Sequence, residues 1–335
     1  MIEISVRGKW IKVPAFQCED STIVITGSWI KIARVHDEAW IATELNDPNQ
    51  CLRKLREPGQ RADIFTFTQM PPGRPPEYEY HSEPDSIAVI RLASFKDWWD
   101  GLSQETRKNV RRAEKRGVRV EAKGFDDELV KNLVELNNSS RIRQGRRYPH
   151  YGKSFDEAKR DYCSFADRSD FLCAYFENEI IGFLKVVYRG QVASVLNLST
   201  KDSHYDKRPA NALIKVAVER CAAQGVSYLT YGFFNYGNKR DTPITQFKTR
   251  NGFEEVLIPR YFVPLTMWGQ LYMKLGFHRG ILGIFPNRVI LTALAVRAKL
   301  YQFRMWFISR CSSMLERPNC NRQMGCSNPP AGSKT

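Results

Sequence analysis

The stretch from Gln191 to Phe253 constrains the fold more than any other part of the chain. VASVLNLS, near its start, is a short run of apolar and β-branched residues that predicts a buried strand. Polar residues follow, and Pro209 then opens PANALIKVAVERCAAQ, a helical segment that ends at Gly225. VSYLTYGFF predicts a second strand. Such a unit exposes backbone N–H groups at the helix N-terminus, flanked here by Lys207 and Arg208, so this point favours an anion.

The overall charge of the chain points to its partners. The 335 residues contain 51 Lys and Arg against 36 Asp and Glu, a formal net charge of +15. A charge of this size favours a nucleic acid, an anionic membrane surface or a phosphorylated ligand. A generally basic protein without such a partner is the alternative. The 42% hydrophobic fraction is typical of a globular protein with one large or two modest domains.

The eight cysteines form no CxxC pair, and several stand in apolar contexts typical of reduced, buried thiols. This pattern predicts a reducing compartment and no metal site. The first residues, MIEISVRGKWIKV, lack the apolar centre of a signal peptide, and no run of 18 uncharged apolar residues occurs. The expected location is therefore cytoplasmic.

The first 96 residues predict a mixed α/β unit. Strands are expected in residues 2–13 and 22–35, a short helix near Asp47–Glu57, and further strands at ADIFTFTQ and SIAVIRL. The proline-dense segment between the last two, MPPGRPPEYEYHSEPD, predicts a surface loop. No chemical motif is evident in this unit.

Residues 103–119 predict an amphipathic basic helix with Ser103 as N-cap and Gly117 as its end. Leu102, Thr106, Val110 and Ala113 share one side. A solvated outer face and a binding face for a polyanion are equally compatible with this pattern. The other side carries seven cations: Arg107, Lys108, Arg111, Arg112, Lys115, Arg116 and Arg119.

A basic and aromatic loop follows the next predicted helix, residues 126–138. Cations interleaved with aromatic rings are suited to gripping a phosphate or carboxylate, so a substrate-binding role is expected. A helix at 155–169 and three antiparallel strands then lead into the stretch described first. The predicted substrate-binding residues of the loop are Arg143, Gln144, Arg146, Tyr151 and Lys153.

This order of elements resembles the GNAT superfamily of acyltransferases, and within it the Fem-like branch, whose best-known members add amino acids to cell-wall precursors. The matching stretches are LSQETRKNVRRAEKRGVRV, HYDKRPANALIKVAVERCAAQGVSYLTYG and ITQFKTRNGFEE. The resemblance implies an α/β (α+β) fold with a GNAT-like, mixed, mainly antiparallel sheet flanked by helices. It assigns residues 97–264 to the acyltransferase domain and residues 1–96 to a reduced N-terminal α/β subdomain, interpreted as a second GNAT-like copy.

The resemblance implies acyl-CoA as the donor, held where the family has the pattern Q/R-x-x-G-x-G/A. Here the segment reads Lys-Arg-Pro-Ala-Asn-Ala, with Ala210 in place of the first glycine and Pro209 lacking an N–H. The same residues also make a good helix start without any ligand. The implied donor-binding residues are Lys207, Arg208, Ala210, Asn211 and Ala212.

Acyl transfer needs a deprotonated nucleophile, support for an oxyanion and a proton for the leaving group. The resemblance implies that Tyr231 or Tyr236 donates that proton, that Asn235 contacts substrate, and that Lys248 stabilises negative charge. His150 and His204 are candidate bases because imidazole titrates near neutral pH. Glu254 is a further candidate. No metal is expected.

The C-terminal segment 265–315 is basic and aromatic. From Val256 to Leu315 there are eight Lys and Arg and no Asp or Glu. Peripheral contact with an anionic membrane, at the inner face, and packing on the protein with outward-reaching cations are both compatible with this composition. A helix is expected from Pro286, and residues 316–335 are expected to be disordered.

Three functions follow from these patterns. The first is transfer of an acyl group from acyl-CoA to an amine (or hydroxyl) of a cell-envelope or polysaccharide precursor, an anionic or glycan-linked acceptor. The second is Fem-like transfer from aminoacyl-tRNA. The third is a non-catalytic GNAT-like module that binds nucleic acid or membrane.

Overall fold

A computed structural model of the protein describes residues 1–279 except 7–8, 37–43, 72, 144–145 and 236–241, together with Thr292 and Val296. Contacts group the chain into a compact unit, Met1–Arg288, and a C-terminal unit, Val289–Thr335. The architecture below is that of the first unit. The helix predicted from Pro286 lies outside the described residues except for Thr292 and Val296, as does the whole 316–335 tail.

The strands alternate with helices along the chain. Within the described residues they are β1 (Ile2–Val6), β2 (Lys9–Val13), β3 (Ala15–Cys18), β4 (Ser21–Thr26), β5 (Ile32–Val35), β6 (Ile64–Thr68), β7 (His81–Arg91), β8 (Val118–Lys123), β9 (Ile142–Arg143), β10 (Arg146–Arg147), β11 (Ser169–Phe176), β12 (Glu179–Arg189), β13 (Val192–Thr200), β14 (Tyr228–Phe233) and β15 (Glu254–Pro264).

Eleven of these strands form one sheet, in the order β3-β4-β5-β6-β15-β7-β14-β13-β12-β11-β8. Neighbours run antiparallel except β5 beside β6 and β13 beside β14. The hairpins β1–β2 and β9–β10 are separate. β15 comes late in the chain but lies between β6 and β7, so it joins the N-terminal strands to the rest of the sheet. This mixed, mainly antiparallel sheet with flanking helices confirms the predicted fold class.

The described helices are α1 (Pro48–Leu55), α2 (Phe95–Gly101), α3 (Gln104–Lys115), α4 (Asp127–Asn138), α5 (Phe155–Tyr162), α6 (Pro209–Ala223), α7 (Pro243–Arg250) and α8 (Met267–Lys274). None of them is long and apolar enough to cross a bilayer.

Helices pack on both faces of the sheet because successive strand residues point in opposite directions. Leu172 and Leu184 belong to the core under α6, together with Leu213 of that helix. Their neighbours Phe171 and Phe183 belong to the core under α4 and α5. The strands β11 and β12 are thus buried on both sides, which is why their sequences are mostly apolar.

The basic helix forms as predicted. Ser103 accepts a hydrogen bond from the Thr106 N–H and begins α3, and Thr106, Val110 and Ala113 are its buried residues. Arg116 is the C-cap and Gly117, at φ 84°, terminates the helix in the left-handed region that favours glycine.

The proline-dense segment is wrong as a pure loop, because β7 begins at His81 and includes Pro84. Pro84 pairs with Pro259 of β15. Pro84 lies beyond the last pair that β7 makes with β14, at Ile87. Pro259 lies at the end of the pairing between β15 and β6, where its carbonyl still accepts a 3.2 Å hydrogen bond from the Gln69 N–H.

The prediction that the cysteines are reduced is wrong for two of them. Cys18 of β3 and Cys51 of α1 form a disulfide. Both are fully buried, and the fold brings together thiols that lie 33 residues apart in sequence. Cys163, Cys173 and Cys221 are free thiols.

The helix predicted at 155–169 is shorter than expected. α5 ends at Tyr162, and after Phe165, at φ 55°, a 3₁₀ turn covers Ala166–Arg168. The backbone therefore bends here before it enters β11.

Candidate functional site

The parallel strands β13 and β14 separate part-way along their length. Among the described residues their pairing runs from Val192 with Tyr228 to Ser194 with Thr230 and ends there. Beyond this point β13 stays paired with β12 up to Thr200, and β14 stays paired with β7 up to Phe233, which pairs with Ile87 after a shift in register. The separation leaves a cleft in the sheet, with strand backbone on both of its sides.

The N-terminus of α6 lies at the end of this cleft because only eight residues connect it to β13. Arg208 is the N-cap, in a left-handed conformation at φ 57° that is costly for a residue with a side chain. No side chain caps the helix, and Pro209 is its first residue. A helix N-terminus of this kind offers N–H groups and positive potential to an anion.

The cations predicted beside this helix start are partly neutralised. Asp206 accepts hydrogen bonds from Arg116 Nη1 at its carboxylate, 2.9 Å, and at its backbone oxygen, 2.6 Å. Lys207 Nζ lies 3.6 Å from the same carboxylate and 4.5 Å from the Phe176 ring centroid. Arg208 stacks over Tyr205, 5.0 Å from its ring centroid. The basic helix α3 is therefore tied directly to the loop that precedes α6.

Lys248 of α7 lies against the far end of β14. It is fully buried, its Nζ donates a 2.6 Å hydrogen bond to the Phe233 carbonyl, and it lies 4.5 Å from the Tyr231 ring centroid. Burial lowers the pKa of Lys248 from 10.5 to about 8. A side chain that is still mostly protonated at neutral pH is thus held in the protein interior next to Tyr231, another of the predicted site residues.

Asn251 links the two helices of the site, and sequence reasoning missed it. Its Oδ1 accepts a 3.0 Å hydrogen bond from Asn211 Nδ2 of α6, while its own amide donates to Phe247 O of α7. Trp98 of α2 donates to the Asn251 backbone oxygen, 3.1 Å. The sequence signal that could have pointed to Asn251 is the Asn-Gly pair that it forms with Gly252. Glycine is required there because the residue has φ +85° and because a Cβ would lie 2.8 Å from Trp98 Nε1.

The predicted substrate loop forms a polar network on α4 and α5. His150 Nδ1 lies 3.4 Å from the Asp161 carboxylate, which also binds the Lys153 ammonium. Burial raises the pKa of Asp161, but the neighbouring His150 and the hydrogen-bonded Lys153 ammonium outweigh this and leave it lowered. The imidazole stacks on Tyr162.

This network reaches the open half of β13 through one tyrosine. Tyr148 shares a 2.7 Å hydrogen bond with the Ser199 hydroxyl, donates to Asn137 Oδ1, and lies under the Arg143 guanidinium at 4.0 Å. Arg143 also donates to Leu136 O. The loop therefore contacts β13 at Ser199, beyond the point where the pairing of β13 with β14 ends.

The remaining predicted residues lie as follows. Tyr151 is half-buried at the end of the loop, its N–H donating to Tyr148 O, and Asn235 donates its amide to Glu255 Oε1. Ala210 and Ala212 lie in the first turn of α6, where Ala212 is buried. His204 is 3.6 Å from Glu179, and Glu254 pairs with Arg91. Gln144, Tyr236 and the Arg146 side chain lie outside the described residues.

One group in the described part of the chain has metal-ligand spacing: His81, Glu83 and His278, whose ligand atoms lie within 4.8 Å of one another. Glu83 Oε1 accepts 2.8 Å hydrogen bonds from His278 Nε2 and Arg279 Nε. Burial raises the pKa of Glu83, but these two donors outweigh it and leave it lowered. The group is thus a hydrogen-bonded ion cluster in this structure.

Comparison with known proteins agrees with this geometry. Residues 102–240 match the family model described as "Acetyltransferase (GNAT) domain". No curated protein sequence matches the chain. Several solved structures have similar folds. Their sequence identities to this chain are low, so the likeness concerns the fold alone.

Three of these structures cover most of both chains. FemX has a TM-score of 0.54 at 11% identity over 76% of this chain and 86% of its own. The C-terminal domain of a putative lysylphosphatidylglycerol synthetase from Agrobacterium fabrum has 0.54 at 12%, over 79% and 88%. L-PGS from Bacillus licheniformis has 0.52 at 14%, over 81% and 89%. The predicted GNAT-like fold is confirmed, and its likeness to FemX is a likeness of fold.

Proposed function

We propose that this protein, whose residues 102–240 match the GNAT acetyltransferase domain model, transfers an acyl group from acyl-CoA to an amine (or hydroxyl) of a cell-envelope or polysaccharide precursor. The observation that carries the proposal is the buried ammonium of Lys248, held between the Phe233 carbonyl and the Tyr231 ring at the cleft between β13 and β14. A positive charge in that place suits a reaction that develops negative charge.

The proposed reaction passes through a tetrahedral intermediate. The acceptor amine attacks the thioester carbonyl, the new C–N bond forms, and the carbonyl oxygen gains negative charge that the Lys248 ammonium stabilises. The C–S bond then breaks with its electron pair leaving on sulfur, and the Tyr231 hydroxyl supplies a proton to the thiolate. The proton lost by the amine goes to a base, for which His150 beside Asp161 is the candidate.

The start of α6 would hold the donor pyrophosphate. Its uncapped N-terminus and the small residues Ala210 and Ala212 support close approach of an anion. Asp206 acts against this, because its carboxylate stands beside Lys207. We therefore expect weaker CoA binding than a glycine-containing loop would give.

The test is thermal stabilisation by acetyl-CoA combined with an assay of transfer to model amines. The Lys248→Met variant should still be stabilised by the donor, but its kcat should fall at least tenfold. The Lys248→Arg variant should recover part of the lost kcat. Lys96→Met, a change at an exposed lysine of α2, is the matched control. Absence of any stabilisation by acetyl-CoA or CoA at millimolar concentration would contradict the acyl-CoA proposal.

A second candidate, transfer from aminoacyl-tRNA, is favoured by the exposed face of α3. Lys108, Arg112 and Lys115 are exposed, and no ion pair involving them occurs among the described residues. Arg116, at the end of the same helix, contacts Asp206, so this face adjoins the donor loop. A tRNA bound there would reach the cleft with its aminoacyl end.

Binding of tRNA as a function of salt separates the two donors. Replacing Arg111, Arg112 and Lys115 by Ala should weaken binding and flatten its salt dependence. Replacing Lys12, Lys96 and Lys131, which are exposed elsewhere, removes the same charge and should change binding less. No binding at low salt would refute the tRNA candidate. RNA or lipid binding without transfer, unchanged in Lys248→Met, would favour a non-catalytic module.

A further inference from the structure

α8 displays its apolar side to solvent. Met267, Trp268, Leu271 and Leu275 are 78%, 71%, 43% and 54% exposed. At about 100° per residue these four side chains fall within an arc of about 100° on one side of the helix axis. Their exposure is therefore a continuous apolar stripe rather than scattered residues.

The opposite side of α8 is held tightly to the sheet by its smallest residue. Gly269 is buried, and a Cβ there would lie 2.0 Å from the Asp63 backbone oxygen. Only glycine permits this approach. The helix thus packs through its backbone and leaves its large side chains outside.

Both ends of α8 are anchored. At the start, Thr266 accepts the Gly269 N–H as N-cap and donates to Asp63 Oδ1, 2.7 Å. After the end, His278 and Arg279 donate to Glu83 of β7, each at 2.8 Å. The apolar stripe is therefore presented in a fixed orientation.

A second tryptophan and several cations lie beside the start of α8. Trp29 is 98% exposed and lines a surface pocket of about 510 Å³ together with Leu265 and Thr266, which lead into α8. Lys31, Arg56 and Arg61 line the same pocket. The Asp63 carboxylate there is already bound by Thr266 and the Lys31 N–H.

We propose that α8 and Trp29 form a docking surface, the α8 surface, for an anionic lipid bilayer. Tryptophan beside long aliphatic side chains, bordered by Lys and Arg, is the composition that lies in the interface of a membrane. Charge complementarity selects the occupant, because three exposed cations, Lys31, Arg56 and Arg61, lie beside Trp29, and the neighbouring Asp63 carboxylate is already hydrogen-bonded. Such a surface attracts a negatively charged leaflet.

The experiment is co-flotation of the full chain with vesicles of phosphatidylcholine alone or with 30% phosphatidylglycerol. The unaltered chain should bind the anionic vesicles, and less so at high salt. Trp268→Gln combined with Leu271→Gln should reduce binding at least tenfold. Leu257→Gln, at a 56% exposed apolar residue of β15, is the matched control and should bind as the unaltered chain does. Circular dichroism checks that all variants fold.

A single variant, Trp29→Gln, provides an independent test, and its binding should fall without any change in α8. Anionic vesicles that fail to bind the unaltered chain would overturn the proposal. Equal vesicle binding by the unaltered chain and by the α8 variant, Trp268→Gln with Leu271→Gln, would also overturn it, because the membrane contact would then lie elsewhere in the chain. A shift in oligomeric state between the unaltered chain and the α8 variant, without vesicle binding, would identify a protein partner instead and would also overturn it. None of these outcomes depends on acyl transfer.

Discussion

Replacing Lys248 by Met should change how the stability of the protein depends on pH. Lys248 is fully buried, and burial lowers its pKa from 10.5 to about 8. Between these two values the unfolded chain binds a proton that the folded chain does not. The free energy of unfolding therefore increases as pH rises from about 8 to 10.5. This increase is lost when pH falls back through about 8.

The size of this contribution follows from the two pKa values. At about 1.4 kcal/mol for each pH unit, the interval from 10.5 to about 8 corresponds to about 3 kcal/mol. Other buried groups act in the opposite direction: burial raises the pKa of Cys173 and of Cys221 to about 12, and it also raises the pKa of Tyr162. Their neutral forms are favoured by folding, so they lower stability in alkali.

The assay is urea unfolding of both proteins at intervals between about pH 7 and 10.5, under one ionic strength. The contributions of the thiols and phenols are common to both proteins and cancel in the difference. The stability of the unaltered chain minus that of Lys248→Met should rise by about 3 kcal/mol across the window. Lys96→Met, at an exposed position, should show no such rise.

A difference that stays constant from pH 7 to 10.5 would refute the reasoning, since it would mean that the buried amine keeps its ordinary pKa. A fall in the difference would mean that a partner, rather than burial, dominates the environment of Lys248. The same titration should appear in catalysis, where the proposed oxyanion role requires the protonated amine and predicts a decline in kcat above about pH 8.

Three further changes test other parts of the structure. Gly252→Ala should destabilise the protein by about 1–3 kcal/mol more than Gly225→Ala, because both glycines have positive φ but only Gly252 contacts Trp98; equal losses in urea unfolding would show that the contact is unimportant. Asp206→Asn should tighten CoA binding several-fold in calorimetry by removing the charge beside Lys207, and weaker binding would contradict the proposed donor site. Reduction of the Cys18–Cys51 disulfide should lower stability by up to about 4 kcal/mol from the 33-residue separation alone, and the Cys18→Ser variant should not respond to reductant.

The sequence predicted those elements whose periodicity and end signals are local. Ser103 and Gly117 mark α3 because a capping hydroxyl and a residue at positive φ act within one helical turn. Pro209 marks the start of α6 for the same reason. The order of strands around Gln191–Phe253 could be predicted because those strands are short, apolar and separated by clear turns.

What the sequence did not predict depends on contacts between distant residues. The Cys18–Cys51 disulfide and the bridge from Asn211 to Asn251 join positions whose proximity is decided by the whole sheet. The ion pair between Arg116 and Asp206, which lie 90 residues apart in sequence, is of the same kind. The apolar stripe of α8 was hidden as well, because composition cannot tell an outward face from an inward one.

The position of β15 has a consequence for how the chain reaches its native state. Residues of β15 meet β7 and the end of β6 across separations of 169 and 192 residues, so the middle of the sheet closes last. During synthesis, β6 and β7 each keep an unpaired edge until residue 264 has left the ribosome. Such edges invite pairing between nascent chains. High contact order predicts slow folding, and a chain truncated before Glu254 should aggregate even though every other strand of the sheet is present.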